Sequence, residues 1–124
     1  MRLEEAVSEL LQDKLNNRLY PFILPQKCAF PAVAYTPISI SRVHSMQEDT
    51  GFVKQHMQFS CYAKSYKEAV NVATIIRKQL QNLSGTVGGL FIGAVLVVGE
   101  MTDYESNTGL YSVMIEFEFQ FKEE

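Results

Sequence analysis

The stretch that decides the fold runs from Leu110 to Phe121 and reads LYSVMIEFEFQF. From Tyr111 onward, large apolar side chains occupy every second position. They are Tyr111, Val113, Ile115, Phe117, Phe119 and Phe121, set against Ser112, Met114, Glu116, Glu118 and Gln120. Because successive side chains of a strand point to opposite faces, this period of two predicts a strand with one face in the core. A sheet built from such strands needs other elements to pack against its one apolar face.

Two amphipathic segments can supply that cover. The first spans residues 2–15, where Leu3, Val7, Leu10 and Leu11 recur at helical spacing. The second begins at Ser65, and Glu68 three residues later completes a capping box. Its apolar positions are Ala69, Val72, Ala73, Ile76, Leu80 and Leu83. Each helix has a single apolar stripe, so each covers a sheet from one side only.

Three further segments are rich in strand-forming residues: 32–43, 52–63 and Leu90 to Val98. A long polar hairpin loop is expected from His44 to Gly51, and a turn at Ser106 to Gly109. Pro37 indicates an edge position or a bulge in its strand, and the proline-containing segment 16–31 is expected along an edge or the surface. The order α-β-β-α-β-β predicts an α+β fold: an antiparallel-rich four-stranded sheet with two helices on one face.

The strand from Leu90 to Val98 is apolar on both faces, and two helices on one side leave its second face uncovered. Two interpretations account for this. Segment 16–31 folds over that face, or a neighbouring subunit covers it.

Length and charge limit the function. The chain has 124 residues, which predicts one domain over 1–124, and its net charge of −3 argues against a dedicated nucleic-acid binder. The acidic N-terminus does not resemble a signal peptide, and the longest apolar run is shorter than the roughly 20 residues of a membrane span. We expect a soluble chain made in the cytoplasm, with no membrane partner.

Candidate catalytic and metal-ligating residues do not converge in the sequence. His56 and Cys61 are predicted on opposite faces of one strand, so a zinc site joining them with Cys28 and His44 is not expected. His56 and Ser60 share a face, but four strand residues separate them by roughly 13 Å. The cysteines are interpreted as small buried hydrophobic residues. We therefore expect no enzyme activity, cofactor or metal.

Four motifs, in this order and spacing, resemble one family over nearly the whole chain. They are RLYPFILPQ from Arg18; FPAVAY from Phe30; Cys61-Tyr62-Ala63 followed by Ser65-Tyr66 and Glu68-Ala69; and DYESNTGLYSVMIEF from Asp103. The family is that of the tail-completion proteins of long-tailed bacteriophages and prophages, also called tail terminators or tail-to-head joining proteins. Ser106-Asn107 departs from the more proline- or acid-rich turn expected there.

The resemblance implies a small α+β subunit that assembles into a ring, expected to be a hexamer, although an isolated subunit can stay monomeric until it meets the tube. Such a ring caps the head-proximal end of the tail tube, stops its elongation and forms the surface on which the head docks. The implied partners are the tail-tube protein, the head connector protein and further copies of this chain, in the virion tail after assembly in the host cytoplasm. DNA would pass through the lumen without specific binding, which an acidic subunit favours.

Two other classes remain open. One is a head-tail connector, or neck, component of related fold. The other is a small-molecule binding module or enzyme that uses the apolar strand from Leu90 to Val98 as the wall of an enclosed pocket.

Two candidate surfaces follow. The loop from His44 to Gly51 is interpreted as reaching a neighbouring subunit, with Met46, Glu48, Asp49 and Phe52 as contact residues; the alternative is a flexible surface loop. The acids Asp103, Glu105, Glu116 and Glu118 are interpreted as lining the lumen or the docking face; the alternative is a solvated sheet face.

Overall fold

A computed structural model describes residues 3–15, 17–44, 49–81, 83–87 and 90–122, with the backbone alone at 42–44, 49–52 and 87. The helices are α1 (Leu3–Gln12) and α2 (Tyr66–Leu80). The strands are β1 (Leu19–Pro21), β2 (Ala32–His44), β3 (Asp49–Ala63), β4 (Gly85–Val87), β5 (Leu90–Glu105) and β6 (Leu110–Lys122). They form one sheet in the order β1-β2-β3-β6-β5-β4.

The α+β class, the two helices and the antiparallel-rich sheet are confirmed, but the predicted four strands are wrong, because the sheet has six. The element order is accordingly α-β-β-β-α-β-β-β. The two additional strands, β1 and β4, have three residues each, too few to show a period of two. The β1 strand lies parallel to β2 at one edge, where the Val33 amide donates to the Arg18 carbonyl at 2.9 Å.

The predicted loop from His44 to Gly51 is shorter than expected. The β2 strand continues to His44, and its backbone pairs there with Asp49 of β3. Only residues 45–48 separate the two strands, and these lie outside the described residues. The sequence missed this extension because backbone pairing can hold a strand that has no alternating side-chain pattern. The bulge predicted at Pro37 is confirmed by a register shift between Pro37 and Ser39.

The core lies on one face of the sheet, here called the inner face. Side chains of both helices pack there against alternate residues of β3 and β6 in a single cluster. Its largest fully buried members include Phe59, Phe117, Phe119, Leu3, Leu11, Met57 and Ile76. The rings of Phe59 and Phe117 meet edge to face with their centroids 5.7 Å apart. The alternation in β6 therefore specified the buried face correctly.

Gln55 is a polar residue on the inner face. It is almost fully buried on β3, and its Nε2 donates to Glu4 Oε1 of α1 at 2.9 Å. A buried amide without a partner is unfavourable, so this hydrogen bond fixes the position of the first turn of α1 over the sheet.

The N-terminus of α2 has the cap predicted from its sequence. Ser65 has an extended backbone, and its Oγ accepts a hydrogen bond from the Glu68 amide at 3.2 Å. The face of α2 that packs against the sheet is buried, as predicted, through Ala69, Val72, Ala73, Ile76 and Leu80.

Replacing Ser65 with alanine is expected to lower the free energy of unfolding by about 1 kcal/mol, because one amide of the first turn loses its acceptor. Urea denaturation followed by circular dichroism measures the change. Ser84→Ala is the matched control: Ser84 is exposed and caps no described helix, so a change below about 0.5 kcal/mol is expected there. Equal losses in the two variants would contradict the capping role.

Candidate assembly surface

The face of the sheet opposite the core, here called the outer face, carries exposed apolar side chains along β5. Phe91, Leu96, Val98 and Met101 are 49%, 50%, 52% and 63% exposed, and together they are called the outer strip. Register places Leu96 opposite Glu118 and Met101 opposite Met114, both outward residues of β6. Val98 is the unpaired residue at the register shift between Val97 and Gly99, and its side chain is exposed there.

The described part of segment 16–31, residues 17–31, does not cover the outer strip, so that interpretation is wrong. Its strand β1 lies next to β2, and three strands separate β1 from β5. No helix of the described chain is long and apolar enough to cross a membrane. Exposed apolar side chains grouped along one strand are typical of protein–protein contact surfaces.

The exposure of the outer strip also argues against an enclosed ligand pocket built on β5. The space beside the strip is an open groove of about 250 Å³. Its lining residues are Gln58, Val98, Gly99, Glu100, Met101, Met114 and Glu116. A small-molecule site is typically concave and buries most of its ligand, and this groove does not.

Beside the outer strip, three side chains form the His56 cluster. His56 Nδ1 lies 2.7 Å from Glu116 Oε2, and its Nε2 lies 3.2 Å from Glu118 Oε1. The side chains of His56, Glu116 and Glu118 are 29%, 33% and 20% exposed. Each ring nitrogen therefore faces a different carboxylate in a partly solvated site.

These contacts shift two pKa values in opposite directions. The hydrogen bond with Glu116 is the main reason that the pKa of His56 is raised, and Glu118 adds to the shift. The pKa of Glu118 is lowered, first by a hydrogen bond from Gln120 Nε2 at 2.9 Å, with further contributions from His56 and Lys54. Both shifts favour the charged forms, so the contact between a protonated His56 and an ionised Glu118 is favourable.

Both ring nitrogens of His56 face carboxylates, so among the described residues neither nitrogen is directed at a hydroxyl or thiol that it could activate. Ser60 is buried, and its hydroxyl accepts a hydrogen bond from Gln58 Nε2 at 3.3 Å. Cys61 is buried on the other face, where desolvation raises the pKa of its thiol to about 12. Its predicted burial is confirmed, whereas Cys28 is only half-buried. Across the part of the chain that the structure describes, no group of His, Cys, Asp and Glu is arranged to hold a metal ion.

The structure places the four candidate acids on one face but in two groups. Glu116 and Glu118 belong to the His56 cluster, whereas Asp103 and Glu105 lie at the far, exposed end of β5. Register sets Asp103 opposite Ser112 and Glu105 opposite Leu110, outward positions like those of the other two acids. The predicted turn follows: Gly109 has a positive φ of 71°, and its amide donates to the Glu105 carbonyl at 2.9 Å.

The candidate contact residues of the first hairpin are only partly described. Met46 and Glu48 lie outside the described residues, whereas Asp49 and Phe52 belong to β3. The backbone of Asp49 pairs with His44, and that of Phe52 pairs with Lys122.

The cluster of His56 with Glu116 and Glu118 was missed by the sequence analysis. The alternation of β3 and β6 correctly placed all three side chains on the outward face. Their contact depends on the register, which aligns His56 with Glu118 across the β3–β6 pair. A one-residue slip would break the contact, and alternation alone does not fix the register between strands that are 60 residues apart in sequence.

Comparison with known proteins gives a family and a fold. The family model described as tail completion protein gp17 matches residues 2–122. A chain in the solved virion of a native gene transfer agent (GTA) particle has a similar structure, with a TM-score of 0.79 and 13% sequence identity, covering 97% of this chain and 94% of that chain. No curated protein sequence matches the chain significantly.

Proposed function

Because the chain belongs to the tail completion protein gp17 family, we propose that it closes the head-proximal end of a tail tube as a ring of identical subunits. It is a structural, virion-associated protein of a phage-type tail. Capping stops tube elongation and forms the surface on which the filled head docks. The role is structural and not catalytic, and the observation that carries it is the exposed outer strip.

A closed ring requires each subunit to offer two different surfaces to its neighbours. The outer strip is the first, because covering its apolar side chains removes them from water. The second is the hairpin of β2 and β3, whose paired backbone extends to His44 and Asp49. We assign Met46, Glu48, Asp49 and Phe52 to this contact, so that the hairpin of one copy reaches the next.

Asp103 and Glu105 are assigned to the docking face or the lumen, whereas Glu116 and Glu118, which were predicted for the same surface, border the subunit contact because they lie beside the outer strip. Two observations support the assignment of the first pair: both acids are exposed on the outer face, and the chain has a net charge of −3. A lumen that repels phosphate lets DNA pass without binding it.

The capping proposal is tested by mixing the protein with polymerising tail-tube protein and measuring tube lengths by electron microscopy. Short tubes with density at one end are expected, and sedimentation of the same mixture should show a ring of about six copies, as the resemblance implies. Tubes of unchanged length would contradict capping. Binding to the head connector without any effect on tubes would instead identify a neck component.

The hairpin contact needs a variant that keeps the β2–β3 pairing intact. Replacing residues 45–48 with Asn-Gly joins His44 to Asp49 by a two-residue turn that suits an antiparallel pair. Loss of the ring with the monomer still folded is expected. Normal ring formation by this variant would mean that the hairpin is not part of the subunit interface.

The lumen assignment is tested at Asp103 and Glu105, because Glu116 and Glu118 are paired with His56. The double variant Asp103→Lys, Glu105→Lys reverses two exposed charges at the end of β5. Reduced infectivity with normal tail termination is expected, because phosphate would then be attracted to the channel. Unchanged infectivity would contradict a lumen position for this pair.

A further inference from the structure

We propose that protonated His56 acts as a clamp that holds Glu116 and Glu118 beside the outer strip, and that loss of its proton releases them. The clamp is thus a pH-sensitive switch of the outer face. Its consequence for assembly rests on the ring proposed above, whereas the clamp itself can be measured on the monomer.

The geometry fits a doubly protonated ring. Both ring nitrogens of His56 lie within hydrogen-bond distance of a carboxylate oxygen, at 2.7 Å and 3.2 Å. Carboxylates accept hydrogen bonds, so both contacts are favourable only when both nitrogens donate. A neutral imidazole has one donor, and its other nitrogen would face a carboxylate with a lone pair.

The surrounding residues do not offer a substitute for the ring. Those that face the cluster from neighbouring positions are Lys54 and Gln58 on β3, Ser39 on β2, Gln120 on β6, and Leu96 and Gly99 on β5, with Glu100 bordering the groove. Among these described residues Lys54 is the one cation, and it contributes to the lowered pKa of Glu118. Glu100 lies 3.9 Å from Arg77 of α2. Deprotonation therefore leaves Glu116 with a neutral ring in place of its cation.

The position of the cluster couples it to the outer strip. Glu118 is paired across the β5–β6 ladder with Leu96, in the middle of the strip. With His56 protonated, the cluster has a formal charge of −1; with His56 neutral, it has a charge of −2. A neighbour that covers the strip would then have to desolvate a carboxylate that has lost its partner, which is strongly unfavourable. Covering of the outer strip is accordingly favoured when the clamp is closed.

The raised pKa of His56 sets the direction of the effect. Because the pKa of His56 is higher in the folded than in the unfolded chain, His56 stabilises the fold fully at pH values below its unfolded-state pKa of about 6.5. This stabilisation is lost as the pH rises through the folded-state pKa. Because the pKa of Glu118 is lower in the folded chain, Glu118 stabilises the fold fully at pH values above its unfolded-state pKa of about 4.5. This stabilisation is lost as the pH falls through the folded-state pKa. Both stability contributions are therefore fully present between about pH 4.5 and 6.5.

The clamp is tested on the monomer by NMR titration of the His56 ring. In the double variant Glu116→Gln, Glu118→Gln, the titration midpoint of His56 should fall, because neutral amides stabilise the imidazolium less than carboxylates do. Glu105→Gln is the matched control, since Glu105 lies on the same face at the exposed end of β5, and the midpoint should stay unchanged there. A midpoint that is the same in the double variant and the wild type would overturn the clamp.

The consequence for assembly is measured in a second arm, by sedimentation of the wild type between pH 5.5 and 8.5. One proton linked to each interface makes the association constant fall by up to about tenfold per pH unit above the His56 midpoint. His56→Gln should remove this dependence, and a slope that persists in that variant would overturn the coupling. A normal NMR titration with no assembly at any pH, even after tail-tube protein is added, would support the clamp and contradict the ring.

Discussion

Replacing Phe117 with alanine is expected to lower the free energy of unfolding by about 3–5 kcal/mol. Phe117 is fully buried at the centre of the inner face. Its ring lies 5.7 Å from that of Phe59 and 6.2 Å from that of Phe119, between centroids. Truncation removes these contacts and leaves a cavity that the paired strands cannot close without shifting register. Urea denaturation monitored by circular dichroism measures the loss.

Phe91→Ala provides the matched control for this prediction. It removes the same side chain from the same sheet, but from the outer face, where Phe91 is half exposed. The free energy of unfolding of the monomer should change by less than about 1 kcal/mol, because little packed surface is lost. A loss in Phe91→Ala as large as that in Phe117→Ala would mean that the two faces of the sheet have been assigned incorrectly.

The double variant Leu96→Asp, Val98→Asp is expected to weaken ring assembly by at least about 2 kcal/mol per interface, or roughly thirtyfold in the association constant. Both side chains are half exposed in the centre of the outer strip. In the ring each new carboxylate would be desolvated against a neighbour, whereas in the monomer it stays in water. Assembly should therefore fail while the unfolding free energy of the monomer changes little. Sedimentation and urea denaturation measure the two quantities.

Ile23→Asp is the control for the outer strip. Ile23 is 80% exposed and follows β1 at the opposite edge of the sheet, so its substitution replaces an exposed apolar side chain with one carboxylate away from the outer strip. Normal assembly is expected in this variant. If Ile23→Asp prevented assembly and the Leu96, Val98 variant did not, the subunit contact would lie at the β1 edge and the role proposed for the outer strip would be wrong.

The sequence predicted the elements whose side chains alternate strongly. In β6, each odd position from Val113 to Phe121 is buried, as the period of two required. In α2, Ser65 and Glu68 gave the start of the helix and the apolar stripe gave its buried face. These features depend on neighbours within one turn or one strand, so a local pattern determines them.

The sequence did not predict the elements that depend on distant partners. Leu19–Pro21 becomes a strand because it pairs in parallel with Val33–Tyr35, which lies beyond a proline-containing segment. Gly85–Val87 becomes a strand because it pairs with Leu90–Ile92. Neither segment has a strand signature of its own, and their hydrogen bonds to an existing strand supply the stabilisation.

For the candidate site, the amino-acid order by itself determined that Glu116, Glu118 and His56 point away from the core and that the strand beginning at Leu90 is apolar on both sides. Only the tertiary structure decided that His56 lies between the two glutamates and that the second apolar side of β5 stays exposed. The reason is physical. The direction of a side chain follows from the local backbone period, whereas its neighbours depend on strand order and register, which the packing of the whole sheet selects.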